Sequence, residues 1–422
     1  MNRIALPLGL AALLVSSSAS AIKVPTGSDD INLNLNVLLQ ARYEGTFDGS
    51  VDRSFDSDFF LRRARIQASG TAYKSLSFLI QFDNSNMGKR ASPTSMGTST
   101  PVGAATGATP GFVQDLVVGW TPVEDITIEG GLILTPTLRT LGYSASGGQV
   151  QVEAPIDIIF QNLDRGFRMN GVELRGFIPG HLIHFRAGIW EGFHSTPAAG
   201  TNPPINPGGK PMIGAHVRLN LIGDETGYAF NQMYLDGKAR ASIGGSVQYQ
   251  PHAACAGALT GCSIASGTGA TAVLNDYKFF GGDAFIDLPV PGNMEFAASA
   301  SIARWDYGDN AGASGAGTTG FARTGTGYTG EVDLRVGIAA VYASFYKYGS
   351  DSGFPHTSDR RKFAAGIAWY IKGNQDKLTF EFNHITPGTP GTPTAVAPTS
   401  SAGGLGPAQS TDAIWVQAQA AF

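Results

Sequence analysis

Residues 59–83 read FFLRRARIQASG, TAYKS and LSFLIQFD, two alternating runs joined by a connection with room for a turn alone. In the first run Arg63, Arg65, Gln67 and Ser69 share one face, opposite Phe60, Ala64, Ile66, Ala68 and Gly70. In the second, Leu76, Phe78, Ile80 and Phe82 oppose Ser77, Gln81 and Asp83. Side chains alternate across a strand with period two, so this is the pattern of an antiparallel hairpin with one apolar and one polar face. A soluble sheet and a membrane barrel both accept such a hairpin, and its recurrence along the chain decides between them.

It recurs to the end. Asp30 to Glu44 sets Ile31, Leu33, Leu35, Val37, Leu39, Ala41 and Tyr43 against Asn32, Asn34, Asn36, Gln40, Arg42 and Glu44. After a loop around 45–57 and the hairpin, further strands are predicted over 112–121, 125–134, 167–176, 182–190, 212–222, 238–250, 275–287, 293–306, 328–336, 338–348, 361–372, 377–386 and 412–422, sixteen in all. Their connections alternate. Short ones fall at 71–75, 122–124, 177–181, 288–292, Gly337 and 373–376, with 223–237 the longest exception. Long ones, rich in Gly, Ser, Thr and Pro, fall at 84–111, 135–166, 191–211, 251–274, 307–327 and 387–411.

A sandwich does not sort its loops in this way. The expected fold is all-β, a transmembrane antiparallel β-barrel of about 16 strands with long external loops and short periplasmic turns. Composition agrees. Charged residues are 15%, against roughly 25% in soluble chains. No apolar run approaches the ~20 residues of a spanning helix. The rings of Tyr73, Trp120, Trp190, Tyr249, Trp305, Tyr348, Trp369 and Tyr370 fall where strands meet the two interfaces. The last strand ends on Phe422 and closes the sheet, leaving no hydrogen-bonding edge in lipid.

Residues 1–21 have the parts of a secretory signal peptide: Arg3, an apolar core from Ile4 to Val15, and the small residues Ala19-Ser20-Ala21. The barrel is then 22–422. The formal charge of −4 becomes −5 when Arg3 is removed, and no basic tail or stripe calls for nucleic acid. Cys255 and Cys262 lie close together in a Gly/Ala/Ser/Thr stretch, where a local disulfide is expected rather than a metal site, which takes about four ligands. The expected partners are outer-membrane lipid and lipopolysaccharide together with small ions and solutes. No cofactor or metal is expected.

The run FFLRRARIQASGTAYKSLSFLIQFD resembles the early hairpin of the phosphate-selective porin O and P family, and ITIEGGLILTP at 126–136 resembles its next strand and the start of its third external loop. The terminal Phe422 after an alternating strand resembles the C-terminal signature of bacterial outer-membrane proteins. The resemblance implies a sixteen-stranded homotrimeric channel whose third external loop narrows the pore. The chain departs from the family in lacking a lysine-rich lumen and in being acidic overall.

A porin works as a lined hole, in which width and the placement of charge set what passes. With the apolar face outward, strand parity turns Arg63, Arg65, Arg175, His184, Arg186, His216 and Arg218 to the pore, with Arg240 starting the next strand and Glu173 among them. Arg62 has the opposite parity and is expected to snorkel at the rim. The loop 135–166 carries Arg139 and Arg165 with the acids Glu153, Asp157 and Asp164, and residues alone leave open whether these constrict the pore or sit solvated outside. Glu331 and Asp333 form an acidic patch on the later wall. The expected function is a wide, weakly anion-preferring porin, with phosphate among its solutes. The alternatives are an outer-membrane barrel enzyme and a secreted all-β adhesin. Against an enzyme, the chain has no H-E-x-x-H, P-loop or G-x-S-x-G, and His194-Ser195 is the one adjacent Ser/His pair.

Overall fold

A computed structural model describes residues 22–28, 30–47, 55–73, 75–89, 112–140, 146–153, 168–178, 180–192, 209–255, 274–308, 324–351, 359–387 and 410–422. Sixteen strands form one closed antiparallel ring. In chain order, after a three-residue strand β1 (Ile22–Val24), they are β2 (Ile31–Phe47), β3 (Phe55–Ala72), β4 (Leu76–Asp83), β5 (Phe112–Val123), β6 (Ile126–Leu134), β7 (Arg168–Ile178) and β8 (Ile183–Trp190). There follow β9 (Met212–Ile222), β10 (Arg240–Cys255), β11 (Leu274–Val290), β12 (Met294–Asp306), β13 (Gly325–Val336), β14 (Ala339–Ser350), β15 (Arg360–Lys372), β16 (Asp376–Pro387) and β17 (Thr411–Ala421).

Each strand pairs with the next, and β17 pairs with β2 from Asp412↔Phe47 to Ala421↔Leu38. Phe422 continues that seam through two backbone hydrogen bonds of 2.9 Å with Val37. Beyond it, β1 pairs with Leu33–Leu35 of the same strand. The described residues contain no helix.

The outward face of the ring is apolar: Val118, Val172, Ile189, Ile213, Val217, Ile243, Val332, Val341 and Phe345 all stand exposed on it. The inward face carries the polar half of the alternation. At the short-turn end β13 and β14 are joined by Gly337 and Ile338 alone, with Gly337 at a φ of 61°, as primed hairpin turns require.

Two expectations fail, both through the direction of side chains. Arg62 is not at a lipid-facing rim but inside the barrel, 4% exposed, and Phe60 is inside at 2%. The register explains it: Gln40 pairs with Arg63 but Ala41 pairs with Leu61, so Arg62 is the extra residue of a β-bulge. The bulge turns two consecutive arginines inward and reverses the parity of everything before it. Of the eight interface aromatics, Tyr73, Trp120, Tyr249 and Trp369 do face outward, whereas Trp190, Trp305, Tyr348 and Tyr370 are buried inside. Trp190, Trp305 and Tyr348 belong to an inner cluster with Leu138, Tyr277, Phe279 and Phe230.

Gly131, in the strand leading to the third long loop, has a φ of +124°, and a Cβ there would sit 2.0 Å from the Leu116 carbonyl oxygen on β5. Gly131→Val should therefore cut the yield of folded barrel, by heat-modifiable migration on unheated SDS gels, while Ile133→Val should leave it nearly unchanged.

Candidate functional site

The lumen is defined by two segments that fold into it from opposite ends. The first leaves β6 and crosses the barrel. Gln248 donates to the Pro136 carbonyl at 2.6 Å, Ser246 to that of Thr137, and the Arg139 amide donates to Asp283 at 3.0 Å. Residues 146–153 then run along the far wall. The Gly147 carbonyl accepts from Lys377 at 3.1 Å and Gln419 at 2.9 Å, and the Val152 amide donates to Glu381 at 2.8 Å. Residues 135–140 and 146–153 of the third long loop are thus inside the barrel.

The second segment is the connection 223–239 between β9 and β10. It also turns inward, which strand and loop lengths alone do not reveal. Its sequence held the sign, because Tyr228, Phe230, Met233, Tyr234 and Leu235 are too apolar for a solvated turn. Phe230 and Met233 are fully buried. Tyr234 and Leu235 are fixed through their amides, to Asp287 at 3.0 Å and Glu295 at 2.9 Å.

The two segments meet. Arg139 grips the Glu225 carboxylate at 2.6 Å and donates to the Asn231 carbonyl. The Gln232 amide donates to the Gly148 carbonyl at 3.0 Å, and its side chain accepts from Val150 at 2.5 Å. The Leu134 amide donates to Tyr228 Oη at 3.1 Å. Burial alone would raise the Glu225 carboxyl, but Arg139 and Arg218 outweigh it and hold it at about 2. Arg139, with Glu225 opposing its desolvation, is raised further. Such a pair persists into acid, and removing one partner costs about 3–5 kcal/mol.

The inward placement expected for the strand residues is observed, but their surroundings differ from an open wall. Arg186, His184, His216 and Arg218 are completely enclosed between the wall and the inward segment. Arg186 donates to the Tyr228 carbonyl at 2.6 Å, and Arg218 lies 3.8 Å from the Phe230 ring and 3.4 Å from Glu225. His184 stacks on Phe177 and meets His216 with ring centroids 6.2 Å apart. Arg175 pairs with Glu129, Arg65 with Asp83 at 2.8 Å. Glu173 is buried 3.9 Å from Arg186. Glu331 accepts from Gln151 at 3.1 Å and from Gln232, tying the later wall to both segments.

The densest charge cluster lies on β2 and β3. Glu153, from the third loop, is bound by Arg42 at 2.7 Å, Arg62 at 2.8 Å and Arg63. Burial would raise its carboxyl, but the three arginines carry it well below the usual range. Neither Arg42 nor Arg62 stands out for this site in the sequence: the first reads as an ordinary polar-face residue and the second is masked by the bulge. Asp157, Asp164, Arg165, Cys262 and the His194-Ser195 pair lie outside the described residues, and Cys255 ends β10.

No family model matches the chain, and no curated protein matches it. Solved structures do. OprB of Pseudomonas putida superposes with a TM-score of 0.57 at 9% identity, over 92% of this chain and 94% of its own. The outer-membrane channel DcaP of Acinetobacter baumannii gives 0.54 at 10%, over 96% and 100%. An anion-selective porin from Comamonas acidovorans gives 0.53 at 11%, over 93% and 100%. The fold is that of the sixteen-stranded outer-membrane barrels. At such identities the likeness concerns the fold alone.

At the short-turn end His181 bridges two other connections, with Nδ1 2.8 Å from Asp224 and Nε2 3.2 Å from Asp125. Hydrogen bonds to Asp224 and then Asp125 raise its pKa above the ordinary 6.5. A raised histidine pKa stabilises the bridged state fully below the ordinary value, and that contribution is lost as pH rises through the raised one. In planar bilayers, conductance of the unmodified protein should rise toward that of His181→Ala as pH rises through the raised histidine pKa, above the ordinary value of about 6.5. Replacing 224–238 by a two-residue turn should increase conductance at every pH.

Proposed function

We propose that the chain is an outer-membrane channel for passive diffusion of ions and small hydrophilic solutes, with a modest preference for anions. The observation that carries this reading is the closed ring itself, apolar outside and lined inside by arginines of β2, β3 and β7–β9. A continuous apolar exterior favours lipid over the solvent that would surround a secreted adhesin. Residues 1–21 supply the export route, and lipopolysaccharide and outer-membrane lipid would surround the barrel. A homotrimer is the assembly implied by the porin resemblance.

The preference is modest because most inward cations already face a carboxylate. Arg65 has Asp83, Arg175 has Glu129, and Arg139 and Arg218 share Glu225. Strict phosphate selection needs several uncompensated cations converging at one narrow point. The lumen is also narrower than a plain wall of arginines suggests, since the two inward segments are in contact. No step here asks for a nucleophile or general base, and the reading is non-enzymatic.

Reversal potentials in a KCl gradient test it. Arg63→Ala with Arg65→Ala should move the reversal potential toward cations, with conductance kept within about a few-fold, as loss of lining charge requires. Strong block of chloride current by low phosphate would instead restore a phosphate channel.

A further inference from the structure

We propose that Lys347 and Arg361, together with the apolar groove beside them on the outer wall, bind lipopolysaccharide, a lipid phosphate lying on the two cations and an acyl chain in the groove. This deepens the channel reading, which supplies the outer-membrane setting with the long loops external, and rests on it.

β14 begins at the short Gly337–Ile338 turn, so its far end lies at the long-loop end of the barrel. One outward row of side chains there runs Ile302, Tyr328, Lys347, Arg361 and Thr386 across β12–β16. Lys347 and Arg361 are both exposed and stand directly opposite one another. Opposed residues have Cβ atoms about 4.5–5.5 Å apart, and like charges so placed repel. Neither cation has a hydrogen bond or ion pair with any described residue. Their neighbours are treated differently: Arg304 is held by Asp351 at 2.6 Å, and Lys278 stands opposite Asp306. A single interfacial cation needs only water for its head. Two held side by side without a counter-ion form a fork for a doubly charged anion such as a phosphate, with the Tyr328 and Thr386 hydroxyls in the same row.

Two residues along each strand toward the short-turn end, about 7 Å away, lies the next outward row. It reads Ile243, Ala284, Ala300, Gly330, Phe345 and Phe363. Three small residues between larger ones leave a groove of about 620 Å³ there. A Cβ on Gly330 would meet nothing within 4 Å, so no neighbouring side chain fills the space. In a bilayer such a groove gains packing but little hydrophobic driving force, because every lipid tail is equally apolar. The charge at its head therefore selects the occupant: a molecule with phosphate at one end of an apolar chain. Lipopolysaccharide carries its phosphates on the sugars that bear its acyl chains, which matches cations one row above a groove.

The test titrates lipid A, the phosphorylated and acylated disaccharide of lipopolysaccharide, into the folded barrel in detergent and counts bound lipid by native mass spectrometry. Dephosphorylated lipid A and inorganic phosphate are the other probes. The unmodified protein should bind lipid A about 25-fold more tightly than its dephosphorylated form, at about fivefold for each cation engaged. Lys347→Gln with Arg361→Gln should lose that same factor. Because it removes a repelling pair, it should fold at least as well, by heat-modifiable migration. Gly330→Phe, which places a ring in the groove and leaves both cations, should weaken lipid A too. Unchanged lipid A binding in either variant, equal binding of the two lipid forms, or displacement of lipid A by equimolar inorganic phosphate would overturn the proposal. The last result would assign the cations to a free anion. Unchanged binding with a fall in oligomer mass in Gly330→Phe would make the groove an interface between copies. All three positions lie on the outer wall, so chloride current in planar bilayers should match that of the unmodified protein. Absence of current in every form would refute the channel reading, and the lipid titration would still decide the lipid site.

Discussion

A sheet surrounded by lipid can leave no backbone edge unpaired, and the rest of this structure follows from that constraint. β17 closes on β2, Phe422 extends the seam to Val37, and β1 covers Leu33–Leu35. Closure commits one face of every strand to the membrane and the other to the lumen. Apolar residues dominate the first, so most of the charge of the strands is concentrated in the second. There it has to be paired, which is why the inner wall reads as a set of arginine–carboxylate partners rather than as a surface of one sign.

The two inward segments complete that pairing. Each brings what the wall lacks at its point of arrival: Glu153 to three arginines on β2 and β3, Glu225 to Arg218 on β9, and backbone carbonyls to Lys377 and Arg186. The segments then bind one another through Arg139 and Glu225. The barrel sets the diameter and the segments set what remains of it, so the free width of the lumen is a property of the contacts they make.

Much of this was legible in the residues. Period-two alternation placed sixteen strands, and the sorting of long and short connections gave their antiparallel order. Parity assigned Arg63, Arg65, His184, Arg186, His216 and Arg218 correctly to the inside. It failed at Arg62 and Phe60, because one inserted residue inverts parity, and FLRRAR alternates acceptably in either register. It failed for Trp190, Trp305, Tyr348 and Tyr370, because an aromatic ring suits an interface and a packed interior alike. The inward course of 223–239 is hidden for a different reason: length alone marks it as a turn, and only its apolar content signals the lumen.

The central claim is that a loop from one end of the barrel and a segment from the other meet inside it. A Cβ on Gly148 would lie 2.9 Å from that of Asn231, close enough for a disulfide once the backbone gives slightly. With Cys255 and Cys262 replaced by Ser, the pair Gly148→Cys and Asn231→Cys should cross-link on mild oxidation of the folded barrel, and single-channel conductance should fall and recover on reduction. Free thiols at both positions in a folded, heat-modifiable barrel after oxidation would show that the two segments do not meet.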